Sequence, residues 1–226
     1  MAYMKYVSIL GDSISTFEGC NTKGYSIYYD EYHKEINGIK GVEDMWWHKV
    51  ITHLGAQLCT NNSYSGSLVT GDKFPAANTY QRINSLCTAF NKPDIILVNI
   101  GFNDFGYGRK IYPDYNNDHD FLSFIFAYGI MLDRIREVYP DSQIICGTLV
   151  RGYVKDHKDR IFPDAPVSYH IDDYNNVIRD SCKKRNIRLA DIAQSGEFLE
   201  TLELCHPTAA GQDTLAKLWI KYIDTN

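Results

Sequence analysis

A serine near the start of this chain and a histidine near its end both stand in settings that suit covalent chemistry. Ser13 follows Gly11 and Asp12 directly after a short apolar run, and His206 stands three residues after Glu203. A serine hydroxyl becomes a good nucleophile only when a base takes its proton, and a histidine base needs a partner that holds its tautomer. A serine, a histidine and a carboxylate are all present, which favours nucleophilic catalysis.

Two further segments offer hydrogen-bond donors. The segment Asn61–Ser67 contains Gly66, whose missing Cβ would let a backbone amide approach a ligand closely. The segment Gly101–Asp104 contains Asn103, whose side-chain amide is suited to donate to a developing oxyanion. Taken singly, each segment is equally typical of an ordinary turn.

Short apolar runs alternate with segments of helical period, a pattern that predicts βαβ units and a parallel sheet. One domain over residues 1–226 is expected from the length and from the lack of internal repeats. The third predicted strand, DIILVNI, is apolar enough to be covered on both faces. Strands are predicted at Tyr6–Leu10, Gln57–Asn61, Asp94–Ile100, Gln143–Leu149 and Ile187–Ala190, and helices at Val42–Leu54, Asn78–Phe90, Phe121–Val138, Ile171–Arg185 and Thr208–Asp224.

Open α/β folds place their ligand crevice at the carboxyl edge of the strands. All four polar segments follow a predicted strand or lie between the last strand and the last helix, so one crevice would gather them. Two long connections, 102–120 and 150–170, leave the same edge and are expected to be functional. Tyrosines near these segments would surround the crevice with rings that carry polar tips: Tyr25, Tyr28, Tyr29, Tyr107 and Tyr112.

The motifs GDSIS, the Gly66 turn, GFND and E-x-x-H-P resemble, in this order, the four sequence blocks of the GDSL/SGNH hydrolase family. The resemblance spans residues 11–207 and implies a flavodoxin-like three-layer α/β/α sandwich with a central parallel sheet of about five strands. It implies Ser13 as the nucleophile and His206 as the general base. It also implies an oxyanion hole made by the Ser13 amide, the Gly66 amide and the Asn103 side chain.

The third member of the catalytic triad is where the sequence departs from this family. The family usually has an aspartate three residues before the histidine, whereas this chain has Glu203, whose extra methylene moves the carboxylate. Glu203 is the expected partner of His206, with a backbone carbonyl or Asp191 as alternatives. Further candidates, for substrate binding, are Asp12, Tyr107 and Tyr112.

The activity expected from these residues is that of a serine esterase or acylhydrolase, which cleaves a carboxylic ester through an acyl-enzyme. The abundance of tyrosine and asparagine near the site favours a short acyl group on a polar carrier, such as acetyl on a carbohydrate. Two alternatives remain open: a lysophospholipase or thioesterase that acts on longer acyl chains, and a sugar-binding module without catalysis.

The composition argues against several other classes of protein. A formal charge of -5 gives no basic surface for nucleic acid. The histidines and the six scattered cysteines form no metal-ligand spacing, and the first strand is followed by no glycine-rich phosphate loop, so we expect neither a metal nor a cofactor. Without a signal peptide or an apolar run of 18 residues, we expect a cytoplasmic protein with no membrane span, whose oligomeric state stays open.

Overall fold

A parallel sheet of five strands forms the centre of the structure, a computed structural model that describes residues 4–114, 119–162, 169–203 and 205–225. Each strand overlaps a predicted one: β1 (Tyr6–Gly11), β2 (Gln57–Ser63), β3 (Ile95–Asn99), β4 (Gln143–Gly147) and β7 (Arg188–Ala190). Their order in the sheet, β2-β1-β3-β4-β7, is that of flavodoxin-like folds, so the predicted fold class is confirmed.

The register of the central strands brings three chain segments to one level of the sheet. Gly11 at the end of β1 lies opposite Ser63 of β2 on one side and opposite Asn99 of β3 on the other. Every residue of β3 is buried, as expected for a strand covered on both faces. The segments that follow β1, β2 and β3 therefore leave the sheet side by side.

The helices of the described segments are α1 (Glu31–Ile36), α2 (Trp46–His53), α3 (Tyr80–Asn84), α4 (Phe102–Gly106), α5 (Phe124–Val138), α6 (Ile171–Arg185) and α7 (Ala209–Asp224). They pack in two groups, with α2 against α7 and with α5 against both α3 and α6. The helix predicted at Val42–Leu54 is interrupted, because Met45 is extended between a 3₁₀ turn and α2. The length predicted for the helix at Asn78–Phe90 was wrong, because α3 has five residues. None of these helices is long and apolar enough to cross a membrane.

Both long connections contain regular structure that the sequence did not predict. Helix α4 opens the first one, and β5 (Gly152–Val154) and β6 (His157–Phe162) form an antiparallel pair within the second. A further short strand, β8 (Leu199–Thr201), pairs in parallel with β5 to complete a small second sheet. The strands β5 and β8 have three residues each, too few for a periodic signal. Residues 115–118 and 163–168 of these connections lie outside the described residues.

Helix α7 is tied to the turn that follows β1 through Gln212. The Gln212 side chain accepts a hydrogen bond from the Trp46 backbone N–H at 3.0 Å and donates one to the Ile14 carbonyl at 3.0 Å. The rings of Trp46 and Trp219 stack beside it at 5.0 Å, and both are fully buried. These buried contacts fix the start of α7, and hence the residues before it, relative to the first strand.

Candidate active site

The turn after β1 holds Ser13 in a tight and largely buried position. Asp12 caps a single 3₁₀ turn, Ser13–Ser15, by accepting a hydrogen bond from the Ile14 N–H at 3.1 Å. A Cβ on Gly11 would lie 2.7 Å from the Ser63 Oγ, so only glycine lets the chain pass this close to β2. Ser13 is 7% exposed, so only a small part of the residue reaches solvent.

The segment that carries His206 connects β8 to α7 and is closed by contacts between its two ends. The Leu202 N–H donates to the His206 carbonyl at 3.1 Å, and Thr201 forms an antiparallel bridge with Pro207. Thr208 then caps α7 by accepting a hydrogen bond from the Gly211 N–H at 3.3 Å. Glu203 and His206 are therefore presented by one short turn whose two ends are both anchored.

Ser13, His206 and Glu203 form a continuous hydrogen-bonded chain. The His206 Nε2 lies 2.9 Å from the Ser13 Oγ, and the His206 Nδ1 lies 2.6 Å from the Glu203 Oε1. Both separations are within the normal hydrogen-bond range. The order of contacts is that of a nucleophile, a base and an orienting acid, although Ser13 and His206 are 193 positions apart in the chain.

The protonation states in this cluster suit that arrangement. Burial lowers the pKa of His206 below its ordinary value, and the hydrogen bond to Glu203 offsets this only in part. Partial burial alone would raise the pKa of Glu203, but hydrogen bonds with Tyr28 and His206 outweigh it and lower that pKa. At neutral pH His206 is therefore uncharged and able to accept a proton, while Glu203 is ionised.

Asp191, the alternative partner considered for His206, is engaged elsewhere. Its carboxylate accepts two hydrogen bonds from Arg179, each at 2.8 Å, and a third from Thr148 at 3.1 Å. The acid that lies against the His206 Nδ1 is Glu203.

Among the described residues, one group has donor atoms placed for a metal ion, namely Glu203, Cys205 and His206, whose atoms lie within 4.8 Å of one another. The first and last of these already share a hydrogen bond. The second nitrogen of the His206 ring faces the Ser13 Oγ at 2.9 Å, so both nitrogens of the ring are engaged as in a serine–histidine–acid arrangement.

The two predicted oxyanion segments lie against each other. Asn103, in the first turn of α4, donates from its side-chain amide to the Ser67 carbonyl at 3.0 Å, next to Gly66. Gly66 is exposed and has a φ of 77°, a conformation that side chains rarely adopt. Asp104 holds the following residues by accepting hydrogen bonds from the N–H groups of Val69 at 2.7 Å and Thr70 at 2.9 Å.

The sequence profile of one protein family, described as GDSL-like lipase/acylhydrolase, matches residues 5–221. The chain belongs to this family. The match confirms the resemblance drawn from the four motifs. No curated protein sequence matches the chain.

Solved structures of other proteins share the fold of this GDSL-like protein over its full length. A protein assigned as a GDSL-like lipase from Bacteroides uniformis is 27% identical, with a TM-score of 0.74 and coverage of 99% of this chain and 97% of that one. A second protein assigned as a GDSL-like lipase, from Bacteroides ovatus, is 23% identical, with a TM-score of 0.77 and complete coverage of both chains. A family 3 carbohydrate esterase from Clostridium thermocellum has 16% identity, a TM-score of 0.61 and coverage of 99% and 97%.

The three residues predicted to bind substrate lie in different surroundings in this GDSL-like protein. Asp12, at the start of the Ser13–Ser15 turn, is 1% exposed, and burial raises its pKa to about 7. Tyr107, just after α4, is 67% exposed. Tyr112 lines a surface cavity with residues of α5 and α6, a cavity that shares no lining residue with the triad. Substrate contacts by these residues stay a prediction.

Sequence reasoning missed two buried charged groups that hold the site of this GDSL-like protein together. Arg82 of α3 is fully buried and donates to the carbonyls of Gly11 at 3.0 Å and Asn62 at 2.7 Å, which joins the ends of β1 and β2. Asp104 is also fully buried and anchors the segment after Gly66. Nothing in the sequence around Arg82 indicated its role. Asp104 could have been found, because it stands beside Asn103 in the GFND motif.

Proposed function

We propose that this GDSL-like protein is a serine esterase that cleaves carboxylic esters through an acyl-enzyme. The observation that carries this proposal is the hydrogen-bonded chain from Ser13 through His206 to Glu203, with separations of 2.9 Å and 2.6 Å. A serine hydroxyl that touches an uncharged, oriented imidazole is an activated nucleophile. Membership of an acylhydrolase family agrees with this chemistry.

In the first half of the reaction, the Ser13 Oγ attacks the ester carbonyl while its proton passes to the His206 Nε2. The carbonyl oxygen becomes an oxyanion, which we assign to the amides of Ser13 and Gly66 and to the second N–H of the Asn103 side chain. His206 then gives its proton to the alcohol oxygen as the C–O bond breaks. In the second half, His206 takes a proton from water, the water oxygen attacks the acyl carbon, and the acid leaves as Ser13 recovers its proton.

Asn103→Ala is expected to lower kcat by on the order of 10²-fold or more with little change in KM, because an oxyanion donor acts in the transition state. Steady-state kinetics on a soluble ester measures the effect. Thermal unfolding of the same sample accounts for the lost hydrogen bond to the Ser67 carbonyl. A correctly folded Asn103→Ala variant with the wild-type kcat would exclude this role.

The rate is expected to fall in acid, with a midpoint below the ordinary histidine pKa of 6.5. His206 must be uncharged to accept the Ser13 proton, and its pKa is lowered by burial, so kcat/KM should reach its plateau by neutral pH and drop tenfold per pH unit below that pKa. Asp12 also titrates in this region, with a pKa near 7. Asp12→Asn keeps an oxygen for the Ile14 N–H but has no proton to lose. The same acid limb in this variant would exclude Asp12 as its origin and agree with His206; its disappearance would assign it to Asp12.

We propose a short acyl group on a polar carrier, such as acetyl on a sugar, as the substrate. A cavity of about 20 Å³ beside the nucleophile turn, with Asp12 and Ile14 in its wall, has room for about one water-sized group. An adjoining cavity of about 220 Å³ shares Leu149 and Val150 with it and carries three charged side chains, those of Arg151, Asp172 and Glu197. The carbohydrate esterase of similar fold agrees with this class, although at 16% identity that likeness concerns the fold alone.

Two assays test the ester chemistry and the substrate class. The first measures hydrolysis of acetyl, butyryl and octanoyl p-nitrophenyl esters, and the second measures release of acetate from acetylated sugars. A rate that falls steeply from acetyl to octanoyl is expected, because longer chains exceed the small cavity. A flat or rising profile would favour a lipase or thioesterase acting on long chains. Absence of turnover on every ester, with acetylated sugar bound unchanged, would identify a binding module.

A further inference from the structure

One aromatic residue, Tyr28, contacts both Glu203 and His206, although it belongs neither to the four family motifs nor to the predicted triad. The ring of Tyr28 stacks on the ring of His206, with centroids 3.4 Å apart and planes inclined by 11°. The Tyr28 hydroxyl donates to the Glu203 Oε1 at 2.6 Å. The same carboxylate oxygen pairs with the His206 Nδ1. One side chain thus fixes the face of the base and the position of its acid.

Glu203 needs such a contact more than a buried acid would. Its side chain is 56% exposed, and a glutamate has more rotamers than a shorter acid, so solvent would compete for the carboxylate. Burial, together with the hydrogen bond to Glu203, raises the pKa of Tyr28 well above its ordinary value, so its O–H remains a donor at neutral pH. The Tyr28 O–H therefore holds the exposed carboxylate where the His206 Nδ1 meets it.

Tyr28 is itself fixed to both catalytic turns. Its N–H donates to the Thr16 Oγ1 at 2.9 Å, and the Thr16 hydroxyl donates to the Ser13 carbonyl at 2.9 Å. The hydroxyl of the next residue, Tyr29, donates to the Pro207 carbonyl at 2.7 Å. The segment 28–29 therefore bridges the turn of the nucleophile and the turn of the base.

We propose that Tyr28 is a positioning residue for the acyl transfer, with its hydroxyl holding Glu203 and its ring holding His206 in line with Ser13. This inference rests on the proposed esterase function. The ring has a second effect during the reaction, because His206 becomes a cation when it takes the Ser13 proton. A cation over the face of an aromatic ring is attracted to it, so the stacked ring stabilises the state in which charge develops.

Tyr28→Phe is expected to lower kcat about 10-fold or more at unchanged KM, by analogy with the loss of an outer partner that orients a metal-bound histidine. The ring stays in this variant, so the fold should hold. Tyr28→Leu removes the ring as well and is expected to lose further activity. Tyr139→Phe is the matched control: it deletes a buried hydroxyl that donates to the Ile83 carbonyl at 3.0 Å and binds neither catalytic turn, and it should lower the Tm without a comparable loss in kcat.

A pH readout separates positioning from plain stabilisation. The titratable groups around His206 are Glu203 and Cys205 on its own turn, Tyr28 on the segment before α1, and His33 within α1. Asp12 interacts electrostatically with the neighbouring Cys205. Without the Tyr28 hydroxyl, the exposed Glu203 carboxylate turns toward solvent and stabilises the charged form of His206 less, which lowers the pKa of His206. The acid limb of kcat/KM should therefore move to lower pH in Tyr28→Phe and stay in place in Tyr139→Phe.

The double variant with Glu203→Ala supplies the decisive comparison. If the Tyr28 hydroxyl acts through Glu203, Tyr28→Phe should cost far less in the Glu203→Ala background than in the wild type. Additive losses, or a wild-type kcat and acid limb in Tyr28→Phe, would overturn the inference. An NMR titration of the His206 ring reports the same shift without turnover. An inactive wild type would contradict the esterase proposal. An active wild type with an unchanged Tyr28→Phe variant would contradict the role of Tyr28 alone.

Discussion

Ser13→Ala is expected to keep the fold and to lose ester hydrolysis by about 10⁴- to 10⁶-fold, the range found when a triad member of a serine hydrolase is removed. The Ser13 Oγ is the atom that touches the His206 Nε2, at 2.9 Å, so its removal leaves the base without a nucleophile to activate. Initial rates on p-nitrophenyl acetate measure the loss. The residual rate would come from binding and from the oxyanion donors.

Covalent labelling adds a readout that does not depend on the natural substrate. A fluorophosphonate reacts with an activated serine, and mass spectrometry should place one adduct on Ser13 of the wild type and none on Ser13→Ala. Ser85→Ala, which deletes a hydroxyl that donates to the Gln81 carbonyl at 2.8 Å, is the matched control and should behave as the wild type. Turnover or labelling that persists in Ser13→Ala would point to another nucleophile.

His206→Ala is expected to cause a loss of similar size, because nucleophile and base act as a unit and removal of either disables both. The substitution leaves a space bounded by the Tyr28 ring, which lies 3.4 Å from the His206 ring in a stacked arrangement. Added imidazole, measured over a concentration series, should restore part of the rate by occupying that space.

Two comparisons make the rescue specific to His206. Imidazole should not restore Ser13→Ala, which lacks the nucleophile. His33→Ala removes a neighbouring imidazole that packs on Tyr28 at 4.4 Å but is not bonded to Ser13, and it should retain most of the activity. An active His206→Ala variant, or one rescued equally without Ser13, would remove His206 from the role of base.

The elements of the central fold were predictable because their signals are local. The strand Ile95–Asn99 is a continuous apolar run, and α6 begins and ends at the predicted residues, with His170 and Asp173 in a capping box at its start. The small second sheet escaped prediction because it depends on pairings such as that of Gly152 with Leu199, far apart in sequence. Its strand His157–Phe162 is largely charged and exposed, without the alternation that marks a half-buried strand.

The sequence by itself determined the residue types for the chemistry and their order along the chain. Ser13, Gly66, Asn103 and His206 each follow or precede a regular element, and the carboxyl edge of a parallel sheet gathers such segments. Only the tertiary structure decided that Glu203 meets the His206 Nδ1 while Asp191 pairs with Arg179, and that Tyr28 bonds Glu203 across 175 positions. Hydrogen bonds depend on differences of tenths of an ångström and on direction, and those are set by packing between elements and not by spacing within one.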